Sequence, residues 1–135
     1  MTDSTQDPKT LHFRDGIPGF PEATEFMLVD VVDDGAFQVL QNTQDPDISM
    51  IVCVPWLFFP DYAPEISTID QLGLGIDAPE DAVVFVPVTI DSENQRVHLN
   101  LVGPFIVNAR TREGRQVVLA ETEYPLRATV ELGTS

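Results

Sequence analysis

The sequence predicts an all-β domain, a small antiparallel barrel or sandwich with one short helix. Three observations carry that expectation. Apolar residues recur at period two in short runs, nine or so, of which Val97-His98-Leu99-Asn100-Leu101 is the clearest. Turn formers separate the runs at near-regular spacing: Asp33-Asp34-Gly35, Asp45-Pro46-Asp47, Ala78-Pro79-Glu80-Asp81 and Gly103-Pro104. A single segment, Pro64 to Leu74, reads as helix, with glycine stops at Gly73 or Gly75. A chain of 135 residues is one domain by length and buries a core without staples.

In order, residues 1–10 are polar and read as a disordered tail ahead of a single domain over 11–135. Leu11 to Phe13 is a short strand, and Asp15 to Pro21 a rigid Gly/Pro turn. Phe26 to Val32 and Ala36 to Gln41 form a hairpin across Asp33-Asp34-Gly35. Ile48 to Val54 is a continuous apolar strand, expected to be buried on both faces. Pro55 to Tyr62, bracketed by prolines, is no ordinary central strand. Ala82 to Ile90 is a long strand whose Pro87 argues for a bulge or an edge. Val97 to Val102, Phe105 to Asn108 and Gln116 to Leu119 follow as three strands. The break between the first two is Gly103-Pro104; Arg110 to Arg115 is a charged turn in which Gly114 is free to take positive φ. Leu126 to Leu132 is the last strand. Asn100 and Asn108 sit in otherwise apolar strands, so each is expected to tie down neighbouring backbone.

Charge is the unusual property. The net is −15, and from Asp15 to Gln95 there are sixteen acidic residues and no Lys or Arg. Such a surface repels nucleic-acid phosphates and anionic lipid, and it attracts a basic partner. The bland reading is that acidity keeps the chain soluble or reflects its host. No run is long enough to span a bilayer and the segment from Met1 to Lys9 is polar, so a cytoplasmic location is the expectation.

Signals for catalysis are poor. His12 and His98 are the two imidazoles, so a multi-His metal site is excluded. Cys53 lies in an apolar strand and reads as a buried thiol, with no partner in the chain for a disulfide. No phosphate loop or nucleophile elbow occurs, and the acid pairs Asp33-Asp34 and Asp45-x-Asp47 sit in turn positions. No cofactor or metal is implied.

The aromatic segment Trp56, Phe58, Phe59 and Tyr62 has two readings. It plugs one end of the barrel, or it lines an apolar groove for a peptide, rimmed by Asp61, Glu65, Asp70 and Asp77. An alternative is a small-ligand barrel or acid/base enzyme with a pocket near Trp56 holding two close carboxylates. A nucleic-acid-binding barrel is a third, opposed by the charge. The arginines at 110, 112 and 115 read as a solvated hairpin tip.

Several segments in order resemble one family. They are Ile17-Pro18-Gly19-Phe20-Pro21-Glu22, then Phe37-x-Val39-Leu40-Gln41, then Phe58-Phe59-Pro60-Asp61-Tyr62. The last is Asn100-Leu101 through Gly103-Pro104 and Asn108 to Gly114 and Gln116-Val117-Val118-Leu119, closed by Tyr124. Together they are similar to the FliW family of flagellar assembly factors. Asn42 stands where a serine is expected, and Val102-Gly103 where a polar residue and alanine are commoner. The resemblance implies a non-enzymatic regulator that binds flagellin in the cytoplasm. It also implies binding of CsrA, an RNA-binding repressor of flagellin translation, in alternation with flagellin. Phe58, Phe59, Asp61, Tyr62, Glu65, Asp70 and Asp77 are the candidate partner-binding residues. Asn100, Gly103, Pro104, Asn108, Gly114 and Gln116 form the structural motif.

Overall fold

The computed structural model describes residues 10–17, 19–30, 37–119 and 123–131. The tail expected over 1–10 lies outside them as far as residue 9, as does the Asp33-Asp34-Gly35 turn; the first strand starts at Thr10. Nine strands form: β1 (Thr10–Phe13), β2 (Glu25–Asp30), β3 (Phe37–Asn42), β4 (Ser49–Cys53), β5 (Ala82–Asp91), β6 (Arg96–Leu99), β7 (Phe105–Asn108), β8 (Glu113–Gln116) and β9 (Ala128–Glu131). One α-helix, α1 (Thr68–Leu74), lies between β4 and β5.

The sheet runs β4-β3-β2-β1-β8-β7-β5, and β5 pairs back onto β4 through Val52↔Pro87 and Cys53↔Val86. This closes a ring, and β6 and β9 extend from the second half of β5. All pairs are antiparallel except β1–β8, which run parallel in register His12↔Glu113. These two strands are distant in sequence, so no turn fixes their relative direction.

β5 organises the molecule. Ala82 to Phe85 pair with β7, Val86 and Pro87 with β4, and Val88 to Asp91 with β6. Pro87 has no N–H to donate and sits where one partner hands over to the next. Its carbonyl accepts from Asn100 N at 3.0 Å. Three packed clusters draw on this strand. Phe85 enters the ring interior with Phe13, Phe26, Leu40, Val52 and Phe105. Val86 and Val88 pack with Cys53, Tyr62, Val97 and Leu99 under β6 and β9. Ala82 and Val84 lie against Leu74, Ile106 and Val117 beneath α1. Service on several sides explains why the run Ala82-Val83-Val84-Phe85-Val86 has no simple alternation.

Three expectations need correction. β4 is buried on both faces only at its end: Val52 is buried in the ring interior and Cys53 under β6 and β9, while Met50 and Ile51 are half-buried and Ser49 is exposed. The strand expected from Gln116 starts earlier, at Glu113, and Val117 and Leu119 continue as extended chain bonded to the carbonyls of Pro104 and Val102. The strand expected to reach Val102 stops at Leu99, because Asn100 turns the chain: its Oδ1 accepts from Val102 N (3.0 Å) and Gly103 N (2.9 Å).

The positive φ expected at Gly114 belongs to Arg112, at 69°. Asn108 closes that turn early. Its Oδ1 accepts from Arg110 N (2.8 Å) and Thr111 N (3.3 Å), and Arg112 N bonds to Asn108 O at 2.8 Å. Gly114 serves a different purpose. A Cβ there would stand 2.8 Å from Val107 Cγ2 and 3.0 Å from Ile106 O, so the missing side chain is what lets β8 lie against β7. Gly103 is alike: a Cβ would meet Gln116 Nε2 at 2.7 Å, the amide that donates to Gly103 O. Asn42 makes the same kind of turn as Asn100, accepting from Gln44 N and Asp45 N while donating to Glu25 O.

Candidate functional site

The proline-bracketed segment leaves β4 as one turn of 3₁₀ helix over Pro55–Leu57. It then divides its aromatics. Tyr62 is buried, and its hydroxyl donates to Leu101 O at 2.7 Å. Its ring meets Tyr124 edge-on with centroids 4.8 Å apart. Phe58 stacks on Phe37 at 5.7 Å, and Phe58 and Phe59 are half-buried against the cluster under β6. Trp56 turns the other way. It is 39% exposed, anchored by its indole N–H donating to Tyr62 O at 2.6 Å. Adjacent Leu57 is more exposed still.

Trp56 forms one wall of a groove of about 410 Å³. Ala63, Pro64 and Ile66 line it from the segment leading into α1, Gln71 from α1, Ile76 and Asp77 from the chain after it, and Ala82, Val84 and Ile106 from β5 and β7. Phe58, Phe59 and Tyr62 do not line it. The candidate aromatics are thus split between a packed plug and a solvent-facing groove, and only Trp56 belongs to the groove.

The candidate acids separate as well. Asp77 lines the groove, while Asp61 and Glu65 are exposed on the segment leading to it. Asp70 is in the first turn of α1, where its backbone N–H donates to the Ser67 hydroxyl and Ser67 Oγ donates to its carboxylate at 2.9 Å. Its other oxygen takes Arg115 at 3.0 Å. Arg115 lies across Gly73, where a Cβ would come within 2.6 Å of the guanidinium. Arg110 reaches Asp77 and Asp81, both at 3.7 Å. The arginine turn is therefore not the free tip expected: two of its three side chains hold α1 and the loop after it. Asn108, fully buried, completes the attachment, donating to Leu74 O (2.8 Å) and Gly75 O (3.2 Å) at the left-handed C-cap of α1.

Sequence reasoning missed Ile66, Ile76 and Val84 as groove-lining residues and missed Arg110 and Arg115 as partners of the acids. Ile66 and Ile76 flank α1 symmetrically, which was the available signal. The arginine contacts span more than thirty residues and left none. The carboxylate pair that an enzyme near Trp56 needs is missing from the groove: Asp77 is the one acid lining it among the described residues. No group of three or more His, Cys, Asp or Glu side chains among the described residues could hold a metal ion, and no helix among them is long and apolar enough to cross a membrane.

Two buried groups set a pH limit. Burial pushes the Cys53 thiol up to about 12, and burial first, then Tyr124, raises the Tyr62 phenol well above its ordinary value. Both keep their proton longer in the folded chain than in the unfolded one. Their contribution to stability is complete below about pH 9 and is lost as pH rises toward the folded values. Urea midpoints should hold level from about pH 7 to 8.5 and fall from about pH 9 upward, and Cys53→Val should delay the onset toward the range of the phenol. A midpoint unchanged between about pH 9 and 11 would contradict this.

Comparison with known proteins gives one consistent result. The family model described as FliW protein matches residues 2–130. The flagellar assembly factor FliW of Moorella thermoacetica is 41% identical over 118 residues, 87% of this chain and 75% of that protein. Its counterpart in Bacillus licheniformis is 32% identical over 119 residues, 88% of this chain and 83% of that protein. A crystal structure of the flagellar assembly factor FliW superposes with a TM-score of 0.83 at 27% identity, covering 90% of this chain and 85% of the other.

Proposed function

The chain belongs to the FliW family, and from that membership we propose that it binds flagellin in the cytoplasm and sequesters the repressor CsrA, relieving repression of flagellin synthesis. It works by docking proteins and turns nothing over. The supporting observation is the groove between Trp56 and α1: apolar on its walls and floor, within a stretch that carries no Lys or Arg from Asp15 to Gln95. An apolar trough fits the hydrophobic face of an amphipathic flagellin segment. The surrounding acids speed and orient the approach of a basic, RNA-binding protein such as CsrA. Candidate contacts are Asp61, Glu65 and Asp77 beside the groove; Tyr62 anchors Trp56 through its carbonyl, Asp70 ties α1 to Arg115, and Phe58 and Phe59 pack against the cluster under β6.

The test is a titration of purified CsrA, and separately flagellin, at rising ionic strength. CsrA should bind at low salt and weaken roughly tenfold between about 50 and 300 mM salt, because screening shortens the reach of the acidic field. Flagellin, held mainly by apolar contact, should weaken far less. Failure of either protein to bind at low salt would overturn the proposal.

A further inference from the structure

We infer that the groove takes a cationic amphipathic peptide segment whose cation replaces Arg110 on Asp77, a reading that rests on the partner-binding role above. Asp77 is both a lining residue of the groove and the acceptor of an arginine from the same chain. Arg110 is half in solvent, sits 3.7 Å from both Asp77 and Asp81, and touches Gly75 O at 3.4 Å. Those distances and that exposure describe a loose ion pair, of the kind worth little and readily exchanged. Its neighbour pair Arg115–Asp70 is different in kind, at 3.0 Å with both side chains about a quarter exposed, and it anchors the helix. The fold thus holds α1 with one tight arginine and places a weak one on the rim of an apolar trough. Arg110 occupies in cis the position that a partner's Arg or Lys takes when that partner's apolar side chains enter beside Trp56. The charge fits this occupant: no basic residue lies between Asp15 and Gln95 to compete for the rim.

Displacement by a cation predicts a sign opposite to that of a structural contact. Removing Arg110 frees Asp77 and should tighten binding; if Arg110 merely propped the rim, removing it would weaken binding. The chain carries one tryptophan, and it lines the groove, so intrinsic fluorescence reports occupancy directly. The full chain is titrated with a Trp-free amphipathic peptide of leucine and arginine, with a leucine and glutamate peptide of the same pattern as control. Arg110→Ala should bind the arginine peptide about two- to fivefold more tightly than wild type, the range a surface ion pair allows. Arg127→Ala makes the same change in net charge at a residue that does not line the groove and sets the baseline for the general field. Arg110→Gln keeps the side-chain length and should repeat the gain. In an Asp77→Asn background the gain should shrink toward the baseline.

Equal affinities for Arg110→Ala and Arg127→Ala, or a glutamate peptide that binds as well as the arginine one, would overturn the inference. CsrA and flagellin titrated in parallel keep the two questions apart. Peptide behaviour as described with neither protein bound removes the functional proposal and leaves this one. Both proteins bound with no Arg110 effect on the peptide does the reverse.

Discussion

Asn108→Ala is expected to destabilise the fold by about 3 kcal/mol and lower the thermal midpoint by roughly 10 °C. The side chain is fully buried and makes four hydrogen bonds, two donated to the carbonyls that end α1 and two accepted from the turn between β7 and β8. Alanine removes all four and leaves backbone groups of both segments without partners, some of them out of reach of water. An unpaired buried group costs about 1–3 kcal/mol, so two that stay dry suffice for the predicted loss. Because Ile76 and Asp77, directly after the α1 C-cap, line the groove, Trp56 emission should also shift in the folded variant. A midpoint within about 3 °C of wild type would mean that water repairs the site and that Asn108 is no hub.

Phe105→Ala should cost more, about 4 kcal/mol. The ring is fully buried and meets Phe13 edge-to-face at 5.5 Å and 87°, and lies nearly parallel to Phe85 at 5.5 Å and 29°. Phe13 in turn meets Phe26 at 5.7 Å and 81°, so one truncation opens a row of rings across the middle of the barrel. The strands around this row are closed on each other and cannot collapse inward to fill the space, which puts the cavity cost near the top of its range. Urea unfolding is the measurement. Phe105→Leu should lose roughly half as much, and a loss under about 2 kcal/mol for alanine would imply a ring interior that relaxes easily.

Strand identity was legible because alternation is local. Leu11, Phe13, Leu40, Val97 and Leu99 mark their buried faces within a few residues of sequence. The end of α1 was legible for the same reason: Gly75 takes φ 69°, which other residues adopt at a cost. Its start was not, since Pro64-Glu65-Ile66, a proline and an acid ahead of an apolar residue, mimics a first turn, while the hydroxyl of Ser67 decides the N-cap. The aromatic segment has no period at all. Nothing in Trp56-Leu57-Phe58-Phe59 tells which ring faces out; that is settled by the Tyr62 carbonyl that captures the indole and by Phe37, a strand away, that captures Phe58. Arg110 and Arg115 look solvated in the sequence because charge beside glycine in a turn normally is. Asp70 of α1 and Asp77 of the loop after it lie more than thirty residues earlier, and only the closed ring brings acids and arginines together. Gly114 is needed for a reason the turn does not announce: closeness of two strands, not handedness of the backbone, requires it.

One strand, β5, supplies side chains to the ring interior, to the layer under β6 and β9, and to the seat of α1. A chain wired in this way has no detachable part. Local opening beneath the helix tugs on the same backbone that closes the ring, so amide exchange in α1's seat, in the barrel and in the outer pair of strands should converge on a single free energy, and cutting the chain anywhere along β5 would dissolve all of it together.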